Sequence, residues 1–278
     1  MEKFRVVKDI DGKLQLLFNS LYPEECCDYA IANDIRRVSL FPGVYTHTDL
    51  EPLMPLKDFV DGLILKEGVN FGQLYHFRKL KSLGALDNKK DILDLKCFPD
   101  LEVLACNVTE RLLGLEACKN LKHINISNYN PKSGDLTQLP AVKSLQKLFL
   151  IVTGITNLKG VERFKKMEKF QIWCGTKLES IAALKALADN LKEVEIEKCK
   201  KINDFEVLGK ISALETLRLS ESGEIKNLSF VKSLPKLKFI SFWDTKVLDG
   251  DISWCEGIPF VGFDNKRHYS HKSEEFKK

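Results

Sequence analysis

The sequence of 278 residues lacks the features that would assign it to several common protein classes. No apolar run reaches the roughly 18 to 20 residues that a membrane helix needs. The first residues, MEKFRVVKDIDGKLQLLF, lack the basic segment and the unbroken apolar stretch of a secretory signal. Positive and negative charges are interleaved, and the formal net charge of +4 is too small to indicate nucleic acid binding. We therefore expect a cytoplasmic protein that binds neither membrane nor nucleic acid.

The sequence also lacks paired cysteine motifs. Its eight cysteines include no CxxC pair, and most lie in apolar patterns, where a reduced thiol packs as a small hydrophobic group. Cys26 and Cys27 are adjacent, and adjacent cysteines pair only with strain. Packing is therefore favoured over a redox role for this pair. We predict eight free thiols.

Catalytic motifs are absent as well. The sequence contains no GxSxG, GxxxxGK[ST] or HExxH, so the usual nucleophile, phosphate-binding and zinc-peptidase patterns are missing. His268 and His271 form an H-x-x-H that, with Asp264, has ligand types suited to zinc. A terminal capping segment with solvated imidazoles is the favoured alternative. We predict no enzymatic activity, no metal and no cofactor.

What the sequence does contain is a repeat. Seven segments have apolar residues at their first, fourth and sixth positions, and their starts are 20 to 24 residues apart. The segments are LEVLAC, LKHINI, LQKLFL, MEKFQI, LKEVEI, LETLRL and LKFISF, starting at Leu101, Leu121, Leu145, Met167, Leu191, Leu214 and Leu237. Each pattern predicts a short strand whose alternate side chains point inward.

Each repeat continues into a predicted return arm. Ile155, Leu158, Val161 and Phe164 are three residues apart, which indicates a short helix or a 3₁₀ turn on the opposite side of the coil. A small residue follows each of several strands at the ninth position and is expected to bond loop backbone groups. These residues are Thr109, Thr153, Cys199, Ser222 and Thr245.

The segment from Leu145 to Lys166, LQKLFLIVTGITNLKGVERFKK, resembles the 22-residue repeat of the leucine-rich-repeat family in its bacterial, internalin-like class. Weaker similarity extends upstream through IRRVSL at Ile35, VDGLIL at Val60 and LGALDN at Leu83. The resemblance implies an α/β leucine-rich-repeat solenoid, with a curved parallel sheet on the concave face and short helices or 3₁₀ turns on the convex face. It also implies a protein-binding scaffold.

Three parts of the chain are predicted. Residues 1–34 form a cap, with a hairpin around Asp11-Gly12 and a helix after Ser20 that has a proline and two acids in its first turn. Residues 35–265 form the solenoid. Residues 266–278 form a C-terminal tail whose last residues are expected to fray.

The outward strand positions predict the binding surface. Large apolar groups there have no folding role unless they pack across neighbouring strands, and aromatic residues beside charges are typical of binding hot spots. Three glutamates in one strand repel each other, which favours a partner with a basic surface. The candidate partner-binding residues are Phe149, Ile151, Gln171, Trp173, Glu193, Glu195, Glu197, Arg218, Phe239 and Trp243.

Two functions follow from these expectations. The first is a protein that is monomeric on its own and inhibits a specific partner, most concretely an immunity protein that neutralises a bacterial toxin. The alternative is a regulatory or scaffold subunit of a cellular enzyme. The genes beside this one would distinguish the two, because an immunity gene lies next to its toxin gene.

Overall fold

The computed structural model describes residues 3, 5–8, 12–86 and 90–276. The chain divides into two compact units, Met1–Ile124 and Asn125–Lys278. In the described residues, no helix is long and apolar enough to cross a membrane. The α-helix found among these residues, Pro23–Ala32, has 10 residues.

The first unit begins with the predicted hairpin and helix. Strand β1 (Arg5–Lys8) pairs antiparallel with β2 (Leu14–Leu17). Of the predicted turn residues, Gly12 has a φ of +75°, as a tight turn requires, and Asp11 lies outside the described residues. Helix α1 (Pro23–Ala32) has a proline at its start and two acids in its first turn, as predicted.

The remaining strands of the first unit follow the helix in chain order. From β2 to the strand Val103–Asn107, neighbouring strands of the main sheet pair in parallel, while two short strands, Leu93–Asp94 and Leu112–Leu113, form a separate parallel pair. The strands are β3 (Arg37–Ser39), β4 (Gly62–Ile64), β5 (Ser82–Ala85), β6 (Leu93–Asp94), β7 (Val103–Asn107), β8 (Leu112–Leu113) and β9 (His123–Ser127), which contains the boundary. The connecting 3₁₀ turns are Glu51–Leu56, Leu74–His76, Leu95–Cys97 and Leu115–Ala117.

One predicted repeat in this unit has the wrong register. The sequence pattern placed Leu83 at the first position of its repeat, but Leu83 pairs with Leu104, which is a fourth position. The repeat therefore starts at Leu80, which is fully buried. Both starts put leucines at positions one and four, but only the start at Leu80 also puts an apolar residue, Ala85, at position six.

The second unit contains six parallel strands paired in chain order. They are β10 (Lys147–Ile151), β11 (Lys169–Trp173), β12 (Glu193–Glu197), β13 (Thr216–Ser220), β14 (Phe239–Trp243) and β15 (Phe260–Phe263). Six 3₁₀ turns lie between or after them. These turns are Val161–Arg163, Ala182–Leu187, Phe205–Lys210, Ser229–Ser233, Ser253–Cys255 and Ser273–Phe276.

The core is formed by the repeat positions that the sequence indicated. All seven predicted fourth-position residues are at most 1% exposed. They are Leu104, Ile124, Leu148, Phe170, Val194, Leu217 and Ile240. Ile155, Leu158, Val161 and Phe164 are also buried, and a 3₁₀ turn lies among them. The core thus contains apolar side chains from both the strand and the return arm of a repeat.

The ninth-position side chains bond backbone groups in most repeats. The hydroxyl of Thr153 donates to the carbonyl of Tyr129 at 2.8 Å, and the hydroxyl of Ser222 donates to the carbonyl of Ser220 at 2.8 Å. Thr109 is exposed and bonds a backbone group as an acceptor, from the N–H of Arg111 at 3.1 Å.

A left-handed residue follows each strand from β9 to β14. The eighth repeat positions have φ between +46° and +57°, although none of them is glycine. They are Asn128, Val152, Cys174, Lys198, Glu221 and Asp244. This conformation turns each backbone N–H toward the next strand, so that Val152 N donates to Trp173 O at 2.9 Å. Asp244 N donates instead to the Asp264 carboxylate at 2.6 Å, which satisfies this N–H in the last turn.

Replacing Val152 with asparagine is expected to stabilise the protein by about 1 kcal/mol, because left-handed backbone is costly for β-branched residues and tolerated by asparagine. Val152 is 49% exposed, so little packing is lost. Asn128 already occupies the equivalent position. Urea denaturation measures the change, with Val152→Ala as the control that removes the branch without adding the amide. If Val152→Asn were less stable than the wild type, the claim that the backbone is strained at Val152 would be contradicted.

The C-terminal segment after residue 265 packs onto the last repeat. Tyr269 accepts from the backbone N–H of Val247 at 2.9 Å, Ser270 accepts from Ile252 N at 2.9 Å, and Phe276 contacts Phe263 edge-on. These contacts cover the end of the core, and fraying of the last residues stays a prediction. The division at residues 34 and 265 stays a prediction.

Candidate functional site

The outward side chains of β10 to β15 form three parallel rows, which we call the strand face. Strand register places equivalent positions side by side from one strand to the next. The first row is Lys147, Lys169, Glu193, Thr216, Phe239 and Phe260. The second is Phe149, Gln171, Glu195, Arg218, Ser241 and Gly262, and the third is Ile151, Trp173, Glu197, Ser220 and Trp243. All ten predicted partner-binding residues lie on the strand face.

Exposure differs along the strand face. Phe149, Ile151 and Trp173 are more buried than exposed, whereas Trp243 is 43% exposed and Phe260 is 45% exposed. The largest exposed apolar groups are therefore near β14 and β15 rather than near β10 and β11. An aromatic anchor for a partner is expected where the ring is accessible.

The aromatic pair near β10 packs within the protein. The rings of Phe149 and Trp173 meet edge to face with centroids 4.7 Å apart, which is a favourable aromatic geometry. The indole N–H of Trp173 donates to Glu195 at 2.9 Å. Cross-strand packing, the alternative to a binding role for this pair, is thus present in the structure.

The glutamates of the acidic strand β12 have partners on neighbouring residues. Glu193 forms ion pairs with Lys169 at 3.0 Å and with Arg218 at 2.6 Å. Glu195 accepts from Gln171 at 3.0 Å as well as from Trp173.

The third glutamate of this strand is also paired. Glu197 lies 3.6 Å from Lys198, and Lys198 also contacts Glu221 at 3.5 Å. These acids raise the pKa of Lys198, with Glu221 contributing most. Glu193 and Glu197 have cationic partners within the protein, and Glu195 has two neutral donors. These contacts offset part of the mutual repulsion of the glutamates, which is therefore a weaker argument for a basic partner than the sequence suggested.

Three aromatic residues at the far end of the strand face form what we call the aromatic shelf: Phe239, Trp243 and Phe260. The rings of Phe239 and Phe260 stack with centroids 4.3 Å apart and planes 5° from parallel. The guanidinium of Arg218 lies 4.6 Å from the centre of the Phe239 ring, within cation–π distance.

Gly262 makes room for the shelf. A Cβ atom at Gly262 would lie 3.0 Å from a ring carbon of Phe260 and 3.1 Å from a ring carbon of Trp243. Both rings therefore lie against the glycine, and both side chains remain more than 40% exposed.

Phe260 was not among the partner-binding residues predicted from the sequence, although its segment IPFVGF follows the repeat pattern. Counted from Ile258, Phe260 is at the third position, which is an outward position in the other repeats. Extending the count of repeat positions to this final strand would have identified it.

The other candidate sites have structural roles. His268 bonds the Val247 carbonyl at 3.0 Å, His271 contacts Ser270 and Glu256, and Asp264 accepts from Asp244 N. The described residues contain no group of three potential ligands suited to a metal ion.

All eight cysteines are free thiols, as predicted. Cys26 and Cys27 are both buried in the first unit, where packing rather than redox chemistry was favoured. Burial raises the pKa of Cys27 and of Cys106 to about 12, which keeps both groups protonated and poorly nucleophilic near neutral pH.

Comparison with known proteins supports the fold. No protein-family model matches the sequence, and no curated protein matches it. Among solved structures, an internalin, InlF, from Listeria monocytogenes is similar with 18% identity and a TM-score of 0.52, over 83% of this chain and 74% of that chain. The chain has the leucine-rich-repeat fold. The functional domain of InlJ from the same organism is similar with 20% identity and a TM-score of 0.51, over 82% of this chain and 58% of that domain.

Proposed function

We propose that this leucine-rich-repeat protein is a non-catalytic scaffold that binds a partner protein on the strand face of its second unit. The observation that carries the proposal is the exposed aromatic shelf. Trp243 and Phe260 are each more than 40% exposed, and they lie on two neighbouring strands of the same sheet, β14 and β15. Exposed rings on a regular sheet have no role in the core and match the aromatic anchors of protein interfaces.

The strand face also has the composition of an interface. Its aromatic end is bordered by paired charges, including the Glu193–Arg218 ion pair, and such a polar rim surrounds the apolar centre of many interfaces. The backbone that presents these side chains is fixed by continuous strand pairing. Little conformational entropy is therefore lost by this face on binding. Repeat folds of this kind use such extended surfaces for recognition.

The more specific functions stay predictions from the sequence. Inhibition of a bacterial toxin and regulation of a cellular enzyme both use a protein-binding face, and the strand face is compatible with either. We also propose, from the sequence, that the protein is cytoplasmic and monomeric on its own.

The experiment compares capture of partner proteins by three immobilised forms of the protein. The wild type is expected to retain a specific protein that Trp243→Ala/Phe260→Ala does not retain, because loss of a central aromatic anchor costs about 2 kcal/mol or more in binding. Leu21→Ala/Phe41→Ala is the matched control, since both residues are exposed apolar groups of the first unit. Calorimetry on the purified partner then gives the change in Kd, expected to be about thirtyfold or more. Equal capture by the shelf variant and the wild type would overturn the proposal.

A further inference from the structure

A second feature of the second unit lies directly beside the strand face. Thr176, Lys198, Lys200, Lys201 and Glu221 line an open cavity of about 410 Å³, which we call the lysine cavity. Lys198 and Glu221 directly follow Glu197 and Ser220, two residues of the third row of the strand face. The cavity therefore borders the row that contains Trp173 and Trp243.

The lysine cavity has uncompensated positive charge. Its lining has three lysines and one glutamate, and Glu221 is already paired with Lys198. In the part of the chain that the structure describes, no acidic side chain forms an ion pair with Lys200 or Lys201. Two ammonium groups thus face the cavity without an internal acid.

The strand face itself is balanced. Its cations are Lys147, Lys169 and Arg218, and its anions are the three glutamates of β12. The glutamates are all engaged within the protein. The excess charge next to the strand face is therefore positive and belongs to the lysine cavity, so electrostatic complementarity favours a partner with negative charge at this position.

We propose that the lysine cavity binds the carboxylates of an acidic segment of the same partner protein that covers the aromatic shelf. The proposal rests on the proposed function for the identity of that partner as a protein. It assigns the partner the opposite charge from the one predicted from the sequence. The glutamates of β12 have partners within the protein, whereas Lys200 and Lys201 have no acidic partner among the described residues. Lys200 and Lys201 are flexible point charges, suited to carboxylates on a mobile acidic segment.

The test uses a fluorescein-labelled oligoglutamate peptide and measures fluorescence anisotropy at low salt with the full chain. The wild type is expected to bind the peptide, and Lys200→Glu/Lys201→Glu is expected to bind it about tenfold more weakly or worse. The matched control is Lys165→Glu/Lys166→Glu, a second pair of adjacent exposed lysines whose reversal changes net charge equally. This control is expected to bind within about twofold of the wild type, apart from a weak, salt-screened effect of net charge. Thermal unfolding verifies that both variants are folded.

Three results would overturn the proposal: no binding of oligoglutamate to the wild type, equal loss in both charge-reversed variants, or inorganic polyphosphate binding as tightly as oligoglutamate with the same dependence on Lys200 and Lys201.

Binding of the captured partner distinguishes failure of this proposal from failure of the proposed function. If that partner requires the aromatic shelf but binds the Lys200→Glu/Lys201→Glu variant normally, the strand-face function stands and the lysine cavity has no part in it. If no partner is captured, the proposed function fails, and the peptide measurement still decides whether the cavity binds carboxylates.

Discussion

Replacing Leu148 with alanine is expected to lower the free energy of unfolding by about 2 to 5 kcal/mol, the usual range for a large buried side chain reduced to a methyl group. Leu148 is 0% exposed and lies beside Phe170 of the neighbouring strand. Because a repeat array buries its core only between neighbouring units, a cavity in one repeat weakens the interfaces on both sides.

Urea denaturation provides the measurement for Leu148→Ala. Lys147→Ala is the matched control, since Lys147 is the preceding residue of the same strand and is exposed. Its substitution should change stability by less than about 0.5 kcal/mol. A loss below about 1 kcal/mol for Leu148→Ala would show that the assigned strand register is wrong.

Replacing Gly160 with alanine is expected to cost about 2 to 5 kcal/mol, from the left-handed backbone and from steric overlap together. Gly160 has a φ of +100°, and a Cβ atom there would lie 2.7 Å from the carbonyl carbon of Leu136 and 2.8 Å from the backbone nitrogen of Thr137. Backbone of the preceding repeat cannot move aside as the end of a flexible side chain can.

Gly257 provides the control for Gly160. Its φ is +87°, but a Cβ atom there would have no neighbour within 4 Å. Gly257→Ala should therefore show only the conformational cost, about 1 to 2 kcal/mol. The difference between the two losses of stability measures the steric cost of the close approach between neighbouring repeats. Equal losses would show that glycine is needed at position 160 only for its left-handed backbone.

Much of the fold could be predicted because the same pattern of apolar residues recurs in each repeat. The spacing of buried residues such as Leu148, Phe170 and Val194 follows from strand and return-arm geometry, which needs no knowledge of distant contacts. The predicted register is wrong at Leu83. This segment has leucines at the first and fourth positions whether the repeat starts at Leu80 or at Leu83, so its leucines do not distinguish the two starts. The left-handed eighth position was also not predicted, because residues such as Val152 and Cys174 give no local signal for it.

The candidate site was predictable in place but not in detail. Register along the strands follows from the repeat, so the sequence places Trp173, Glu195 and Trp243 on the same face. Which side chains remain accessible depends on their torsion angles and on neighbours one repeat away. The pairing of Glu195 with Trp173, and the exposure of Trp243 beside Gly262, therefore became visible only in the structure.

The central claim, that a partner protein covers the aromatic shelf, is tested most directly by hydroxyl-radical footprinting with the captured partner. In the free protein, Trp243, Phe260 and Phe41 are all accessible and should be oxidised. In the complex, we predict that oxidation of Trp243 and Phe260 falls strongly while Phe41, in the first unit, is oxidised as before. Unchanged oxidation of Trp243 and Phe260 in a saturated complex would contradict the claim.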